Sequence, residues 1–171
     1  MHKHETRLDF RVGIVTVSTS RFEKYGNLRG IDKIPEDDGS GREIFEAFKD
    51  LATDYALVAD DVEAIKNTVS EMLKECDAVI VNGGTGLNPK DVTIEAIEPL
   101  LEKKIDGFGE IFRYLSYKEV GTSAILSRAT AGIVNSKAVF CLPGSRNAVE
   151  LGLRIIRESL AHILSHAKGL K

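Results

Sequence analysis

Short apolar runs rich in β-branched residues alternate along this chain with stretches whose apolar residues recur every three or four positions. That alternation restricts the fold more than any other feature of the sequence. Residues 10–18 (FRVGIVTVS) are apolar on both faces, the pattern of a central strand covered from both sides. Residues 55–59 and 78–81 read as a second and a third strand. Helical stripes separate them. Ile44, Phe45, Phe48, Leu51 and Ala52 form one, and Val62, Ile65, Val69, Met72 and Leu73 the next. The order strand–helix–strand–helix–strand implies an α/β fold, a mostly parallel sheet with helices on both faces.

The rest of the chain adds detail. Residues 91–101 and 108–120 read as helices. Residues 128–134 and 138–142 read as strands, and Asn135-Ser136-Lys137 between them suits a hairpin, so at least one strand is expected to run antiparallel. A last helix starts near Asn147 and carries Ala148, Leu151, Ile155, Ile156, Leu160 and Ile163 on one side. Residues 19–41 break the pattern with Gly26, Gly30, Pro35, Gly39, Gly41 and several charges. They read as a long, partly mobile loop, and loops of that length in compact domains are often functional. Ser40-Gly41-Arg42-Glu43 matches a capping box. Asp60 or Asp61 is the expected cap of the next helix, and Asp91 that of the one after.

The 171 residues fit one domain, expected over residues 10–171 after a flexible polar tail at 1–9 that holds His2 and His4. A net charge of -3 argues against an extended nucleic-acid footprint. Cys76 and Cys141 form no CxxC pair and sit among apolar neighbours, which suits core positions rather than zinc or dithiol chemistry. No apolar run approaches the roughly 18 residues of a membrane span. Residues 1–9 lack the apolar core of a signal peptide, so the expected location is cytoplasmic.

In open parallel sheets ligands bind beyond the carboxyl ends of the strands. Four unusual segments follow strands here: residues 18–41, Asp60-Asp61, residues 83–91 and residues 143–147. Gly83-Gly84-Thr85-Gly86 is neither a Walker A loop nor GxGxxG. It is either a plain strand-to-helix turn or a cradle whose N–H groups face a phosphate. Asp60 and Asp91 are either helix caps or carboxylates able to hold Mg²⁺ beside substrate phosphates. Ser123, Ser127 and Arg128 precede the hairpin, and Arg128 is either a surface charge or an anion-binding fork. Pro143-Gly144-Ser145 is a helix-entry turn or an anion seat at a helix N-terminus. Lys90 and Arg146 read as solvated charges. Phe108, Ile111, Phe112, Tyr114 and Leu115 read as core or subunit contact rather than a cofactor box.

Taken together these residues resemble a known family. Gly83-Gly84-Thr85-Gly86, then Lys90-Asp91-Val92-Thr93 and Glu95-Ala96-Ile97, resemble the signature of the MoaB/Mog molybdenum cofactor biosynthesis proteins. Gly107-Phe108-Gly109-Glu110, Gly121-Thr122-Ser123-Ala124, Leu126-Ser127-Arg128-Ala129 and Leu142-Pro143-Gly144-Ser145 follow in the family's order. The run FGEIFRYLSY at 108–117 is similar to the MoaB branch. The chain departs in having Lys90 where the family often has Arg, and Ala59 before Asp60 where relatives often carry Pro.

The resemblance implies a three-layer α/β/α fold assembled as a homo-trimer or homo-hexamer. It implies an enzyme that binds molybdopterin and ATP, forms adenylylated molybdopterin and pyrophosphate, and passes the product to a MoeA-like molybdotransferase that inserts molybdenum or tungsten. Residue by residue, it implies Asp60 and Asp91 as catalytic and Mg²⁺-holding carboxylates, and Gly83, Gly84, Thr85 and Gly86 as the pterin and phosphate loop. Ser127, with Ser123 and Arg128, is implied in substrate binding, and Pro143, Gly144 and Ser145 in nucleotide binding. Nucleotidyl transfer needs positioning and charge neutralisation rather than a covalent side chain, so no nucleophile is assigned. The competing readings are a non-catalytic molybdopterin carrier, a nucleotide pyrophosphate hydrolase of the same fold, and an oligomeric scaffold.

Overall fold

The computed structural model describes residues 9–170. The tail expected at 1–9 therefore lies almost wholly outside the described residues. In chain order the elements are β1 (Val12–Val17), α1 (Thr19–Tyr25), β2 (Leu28–Arg29), a 3-10 turn (Ile31–Lys33), α2 (Gly39–Ala47), β3 (Ala52–Val58), α3 (Val62–Met72) and β4 (Ala78–Asn82). There follow α4 (Thr93–Ile97) with a 3-10 continuation (Glu98–Leu100), β5 (Lys103–Lys104) and α5 (Asp106–Val120). A further 3-10 segment (Gly121–Leu126), β6 (Thr130–Val134), β7 (Lys137–Leu142) and α6 (Arg146–Ala167) complete the chain.

The seven strands form one sheet in the order β2-β3-β1-β4-β7-β6-β5. The inner strands β3, β1, β4 and β7 are parallel, and β2, β6 and β5 pair antiparallel. Every residue of β1 and of β4 is buried, as a strand covered on both faces requires. Alternate residues sort into two cores. Val12 and Ile14 join Ile44 of α2, Phe112 of α5 and Ile156 of α6. Val15 and Val17 face the other way, onto Ile65, Val69 and Met72 of α3 and Ile97 of α4. The outcome is the three-layer α/β/α arrangement. Cys76 and Cys141 are buried, as their neighbours predict. Asn135 (φ 49°) and Ser136 (φ 62°) both take left-handed backbone, the two-residue turn that matches strand twist, so the expected β6–β7 hairpin is present.

Residues 19–41 are not the expected loop. Ser18 caps α1 by accepting from the Arg21 N–H, and Gly26 (φ 73°) closes it by donating to the Phe22 carbonyl. α1 buries none of its residues, so it leaves no apolar stripe for the sequence to show. Leu28 and Arg29 then pair with Leu57 and Ala56 as a two-residue edge strand, and Arg29 clamps Asp54 through contacts of 2.7–3.1 Å.

The expected capping box at Ser40 is displaced as well. α2 begins two residues earlier, capped by Asp38, whose carboxylate accepts from the Gly41 N–H at 2.9 Å. Asp38 is 1% exposed and also accepts from Thr16 Oγ1 and the Tyr55 hydroxyl, both at 2.7 Å. Burial, reinforced by Asp38, pushes the Tyr55 hydroxyl well above the ordinary tyrosine range and keeps it a donor. This network pins α2 to β1 and β3 just beneath the C-terminal edge of the sheet, a tertiary role that local capping patterns do not encode.

Candidate active site

β1 has β3 on one side and β4 on the other, so successive connections leave it in opposite directions. That switch point opens a crevice at the C-terminal edge of the sheet. β6 runs antiparallel to β7, with Thr130 opposite Cys141, so the residues entering β6 reach the same edge. The four segments singled out by the sequence therefore converge there, joined by residues 126–128.

The turn after β4 is built by backbone that only glycine accepts easily. Gly83 (φ 93°) and Gly84 (φ 69°) are left-handed, and a side chain on Gly83 would overlap the Val17 carbonyl. The turn is anchored by three hydrogen bonds. Gly83 N–H donates to the Leu142 carbonyl at 3.0 Å, Thr93 N–H to the Gly84 carbonyl at 2.9 Å, and Thr93 Oγ1 to the Gly83 carbonyl at 2.8 Å. The N–H groups of Gly84, Thr85 and Gly86 have no acceptor among the described residues, as an anion cradle requires. Thr85 itself is 3% exposed, and it lines the cavity at this turn.

The three aspartates separate cleanly. Asp61 is the α3 cap, accepting from the Ala64 N–H at 2.8 Å. Asp60 is thereby released from capping. Its Oδ2 accepts from Thr19 Oγ1 at 2.7 Å and Thr19 N–H at 3.2 Å, while Thr19 Oγ1 accepts from the Asp60 N–H at 3.0 Å. Its Oδ1 faces Gly84, 3.0 Å from where a Cβ on that residue would sit. Asp91 is not a cap either, because α4 begins after Val92 with no side-chain cap. Its carboxylate lies against Gly86, with Oδ2 2.6 Å from the position a Cβ would take, and is bonded to nothing among the described residues. Thr19, which holds Asp60, was missed by the sequence reading, and a lone threonine after a strand carries no signal that would have marked it.

Arg128 is occupied by the protein. Nε donates to the Thr85 carbonyl at 2.9 Å, one Nη to the Gly86 carbonyl at 2.7 Å and the other to Glu95 at 2.6 Å. It is a strut for the glycine turn, and its hydrogen bond holds the Glu95 carboxyl below the usual glutamate range. Ser127 lies beside it, on the wall of a cavity of about 380 Å³ lined by Gly83, Gly86, Asp91, Leu126, Pro143 and Gly144. Ser123 is exposed and outside that lining. Ser145 caps α6 through the Ala148 N–H, which leaves Pro143 and Gly144 as the part of their loop that meets the cavity. Ser40 replaces its expected capping role with a hydrogen bond to the Gly144 carbonyl at 2.9 Å, which fixes that loop from the α2 side.

Among the described residues no three His, Cys, Asp or Glu side chains group closely enough to hold a metal by themselves, and no helix is long and apolar enough to cross a membrane.

Residues 13–162 match the model of a family described as a probable molybdopterin binding domain. The chain is 40% identical over 170 residues to a protein of Methanocaldococcus jannaschii named probable molybdopterin adenylyltransferase, covering 98% of this chain and 99% of that one. It is 42% identical over 164 residues to molybdenum cofactor biosynthesis protein B of Staphylococcus carnosus, covering 91% and 89% respectively. The crystal structure of the tungsten cofactor synthesizing protein MoaB from Pyrococcus furiosus superposes with a TM-score of 0.79 at 40% identity, over 94% of this chain and 98% of that one.

Proposed function

Because the chain belongs to the MoaB/Mog family of molybdenum cofactor biosynthesis proteins, we propose that it is a molybdopterin adenylyltransferase using ATP. The observation that carries this reading is the pair of carboxylates facing one glycine turn, Asp60 toward Gly84 and Asp91 toward Gly86, neither of them engaged in capping a helix. The relative from Methanocaldococcus jannaschii, alike over nearly its whole length, bears the name of that activity.

The terminal phosphate oxygen of molybdopterin attacks the α-phosphorus of ATP. The bond from that phosphorus to the oxygen bridging toward the β-phosphate breaks, pyrophosphate leaves with the electron pair, and AMP stays on the pterin phosphate. Such a reaction asks the protein for alignment and for charge placed where it develops. The free N–H groups of Gly84, Thr85 and Gly86 hold the transferring phosphoryl oxygens, and Ser127 donates to the acceptor phosphate. Pro143 and Gly144 bound the nucleotide side, held in place by Ser40.

Two carboxylates without a third ligand suit Mg²⁺, which takes one or two carboxylates and completes its shell with water and substrate phosphate oxygens. Asp91 and Asp60 would hold it, and it would offset phosphate charge. Molybdopterin, ATP and Mg²⁺ are thus the small-molecule partners. An exposed apolar stripe of Ile111, Tyr114, Tyr117 and Val120 on α5, continued by Ile125 and Leu126, supports assembly into a homo-trimer or homo-hexamer. The product then goes to a MoeA-like molybdotransferase.

The test is to incubate the protein with molybdopterin and Mg-ATP and quantify pyrophosphate and adenylylated pterin. Pterin-dependent product that collapses in Asp91→Asn is expected. Pterin bound without product would replace this reading with a carrier, and pyrophosphate bonds cleaved without pterin would replace it with a hydrolase.

A further inference from the structure

Residues 83–86 after β4 and Pro143-Gly144 after β7 line the same cavity. The two segments touch at one point. A side-chain carbon built on Gly144 would lie 3.2 Å from the Gly83 Cα, and Gly83 N–H donates to the Leu142 carbonyl at 3.0 Å. They are joined a second time by a path through the buried face of the sheet. Asn82, the last residue of β4, donates from Nδ2 to Thr16 Oγ1 at 3.1 Å and to the Val15 carbonyl at 3.2 Å. Thr16 Oγ1 gives its one hydrogen to Asp38 Oδ2 at 2.7 Å, and Asp38 Oδ1 accepts from the Gly41 N–H at 2.9 Å. Ser40, next to Gly41, donates to the Gly144 carbonyl at 2.9 Å. The path closes on itself, from the glycine turn through Asn82, Thr16, Asp38 and Ser40 to Gly144 and back to Gly83. All four of those side chains are buried.

We propose that Asp38 is a positioning residue for adenylyl transfer: as the junction of this hydrogen-bonded ring it holds the glycine turn and the Pro143-Gly144 wall at a fixed separation, without itself touching substrate. The inference rests on the adenylyltransfer reading and adds to it the device that keeps the two loops aligned.

Three observations support it. The first is that Asp38 does more than a cap requires. A serine accepts the same helix N–H with less desolvation. The carboxylate of Asp38 is buried on three neutral donors, with no cation bonded to it among the described residues, and its two oxygens divide the partners. Oδ1 takes α2 through Gly41, and Oδ2 takes β1 through Thr16 and β3 through Tyr55. The second is that polar side chains stand where packing alone asks for apolar ones. Thr16 continues the inward row of Val12 and Ile14, Asn82 that of Ala78 and Ile80, and the two are partners in the β1–β4 register. The third is the absence of slack. A methyl group on Gly41 would overlap Asp38 Oδ2 and come within 3.1 Å of Thr16 Oγ1, so the entry to α2 is pressed onto the junction.

The experiment compares Thr16→Val with Tyr55→Phe. Each removes one hydroxyl that donates to Asp38 Oδ2 at 2.7 Å, but Thr16 lies within the ring and Tyr55 outside it. Turnover with molybdopterin and Mg-ATP is measured beside thermal unfolding and the exchange rate of the Gly83 amide by NMR. The two variants should lose similar stability. In Thr16→Val kcat should fall about 10- to 100-fold, the scale of a misplaced reacting group, while in Tyr55→Phe it stays within about twofold of wild type. The KM for ATP should hold in both, because the groups facing substrate remain. Asp38→Ser, which can still cap α2 but cannot reach Thr16, should match Thr16→Val. Thr16→Ser, which keeps the hydroxyl, should recover kcat. Ser40→Ala opens the ring at its other end, and the double variant with Thr16→Val should be no slower than the slower single, because a ring is opened only once. A kcat in Thr16→Val or Asp38→Ser no lower than in Tyr55→Phe would overturn the proposal, as would losses that multiply in the double variant. Should either of those variants fail to fold, Ser40→Ala against Tyr55→Phe makes the same comparison. Wild-type protein that forms no adenylylated product would remove the transferase reading, and the Gly83 amide then decides on the ring alone. Faster exchange in Thr16→Val and Ser40→Ala but not in Tyr55→Phe keeps the ring, and unchanged exchange in all three overturns it.

Discussion

Asp60 and Asp91 flank the same glycine turn but are held in opposite ways. Asp60 is fastened by the hydroxyl and N–H of Thr19, the first residue of α1. Asp91 leans on Gly86 with its carboxylate bonded to no other group among the described residues. A carboxylate already satisfied by the protein is a fixed reference point, whereas one left open is completed by what binds. Under the proposed adenylyl transfer, that difference would give Asp91 the larger catalytic burden and Asp60 a steadier positioning role.

The strongest way to break that comparison is Asp91→Asn. It should lower kcat by about 100- to 1,000-fold, the scale set by removing one preorganised electrostatic group, and it is read by steady-state pyrophosphate release. A loss no greater than that of Asp60→Asn would reverse the ranking. Gly86→Ala is next. Its methyl group would push the Asp91 carboxylate aside at no backbone cost, because Gly86 does not need left-handed φ and the obstructing atom is the end of a side chain. Turnover should fall about tenfold while the unfolding temperature holds. Thr19→Ala should cost about fivefold in kcat/KM for ATP, the value of one hydrogen bond to a charged group less what solvent restores. An unchanged value there would show that Asp60 needs no anchor.

The smallest effect concerns the strut on the Asp91 side. The Arg128 hydrogen bond depresses the Glu95 carboxyl, so its contribution to stability is complete above the ordinary glutamate range and vanishes as pH falls through the lowered folded value. Glu95 is about half exposed, which limits the contribution to a few tenths of a kcal/mol. Urea midpoints of wild type and Glu95→Gln should differ at neutral pH and converge as pH falls through the lowered carboxyl range. A constant gap would place the coupling elsewhere.

The two regions also differ in how far the sequence showed them. Before Asp91 the local signals and the final geometry agree, a buried β-branched run with a glycine cluster straight after it, and the departure is at the helix start, which falls after Val92 rather than at Asp91. Around residues 18–41 they disagree. α1 is a helix without a buried face, β2 is two residues long, and the α2 cap is Asp38 rather than Ser40. Arg128 is the converse case, since a guanidinium that suits an anion finds two carbonyls and Glu95 first.

What the sequence by itself determined is whatever hydrophobic periodicity and backbone sterics specify locally. That covers the central parallel strands, the helices with an apolar stripe, the hairpin at Asn135 and Ser136, and the glycine turn after β4 with its motif company. What only the tertiary structure decided is which polar side chains meet. Asp61 rather than Asp60 caps α3, Thr19 holds Asp60, Ser40 reaches Gly144 across 104 positions of sequence, and Ser127 comes to the wall of the cavity at the glycine turn. Hydrogen bonds of that kind depend on distances of a few tenths of an ångström between elements remote in the chain, and they exist only once the two cores have fixed the strands and helices in place.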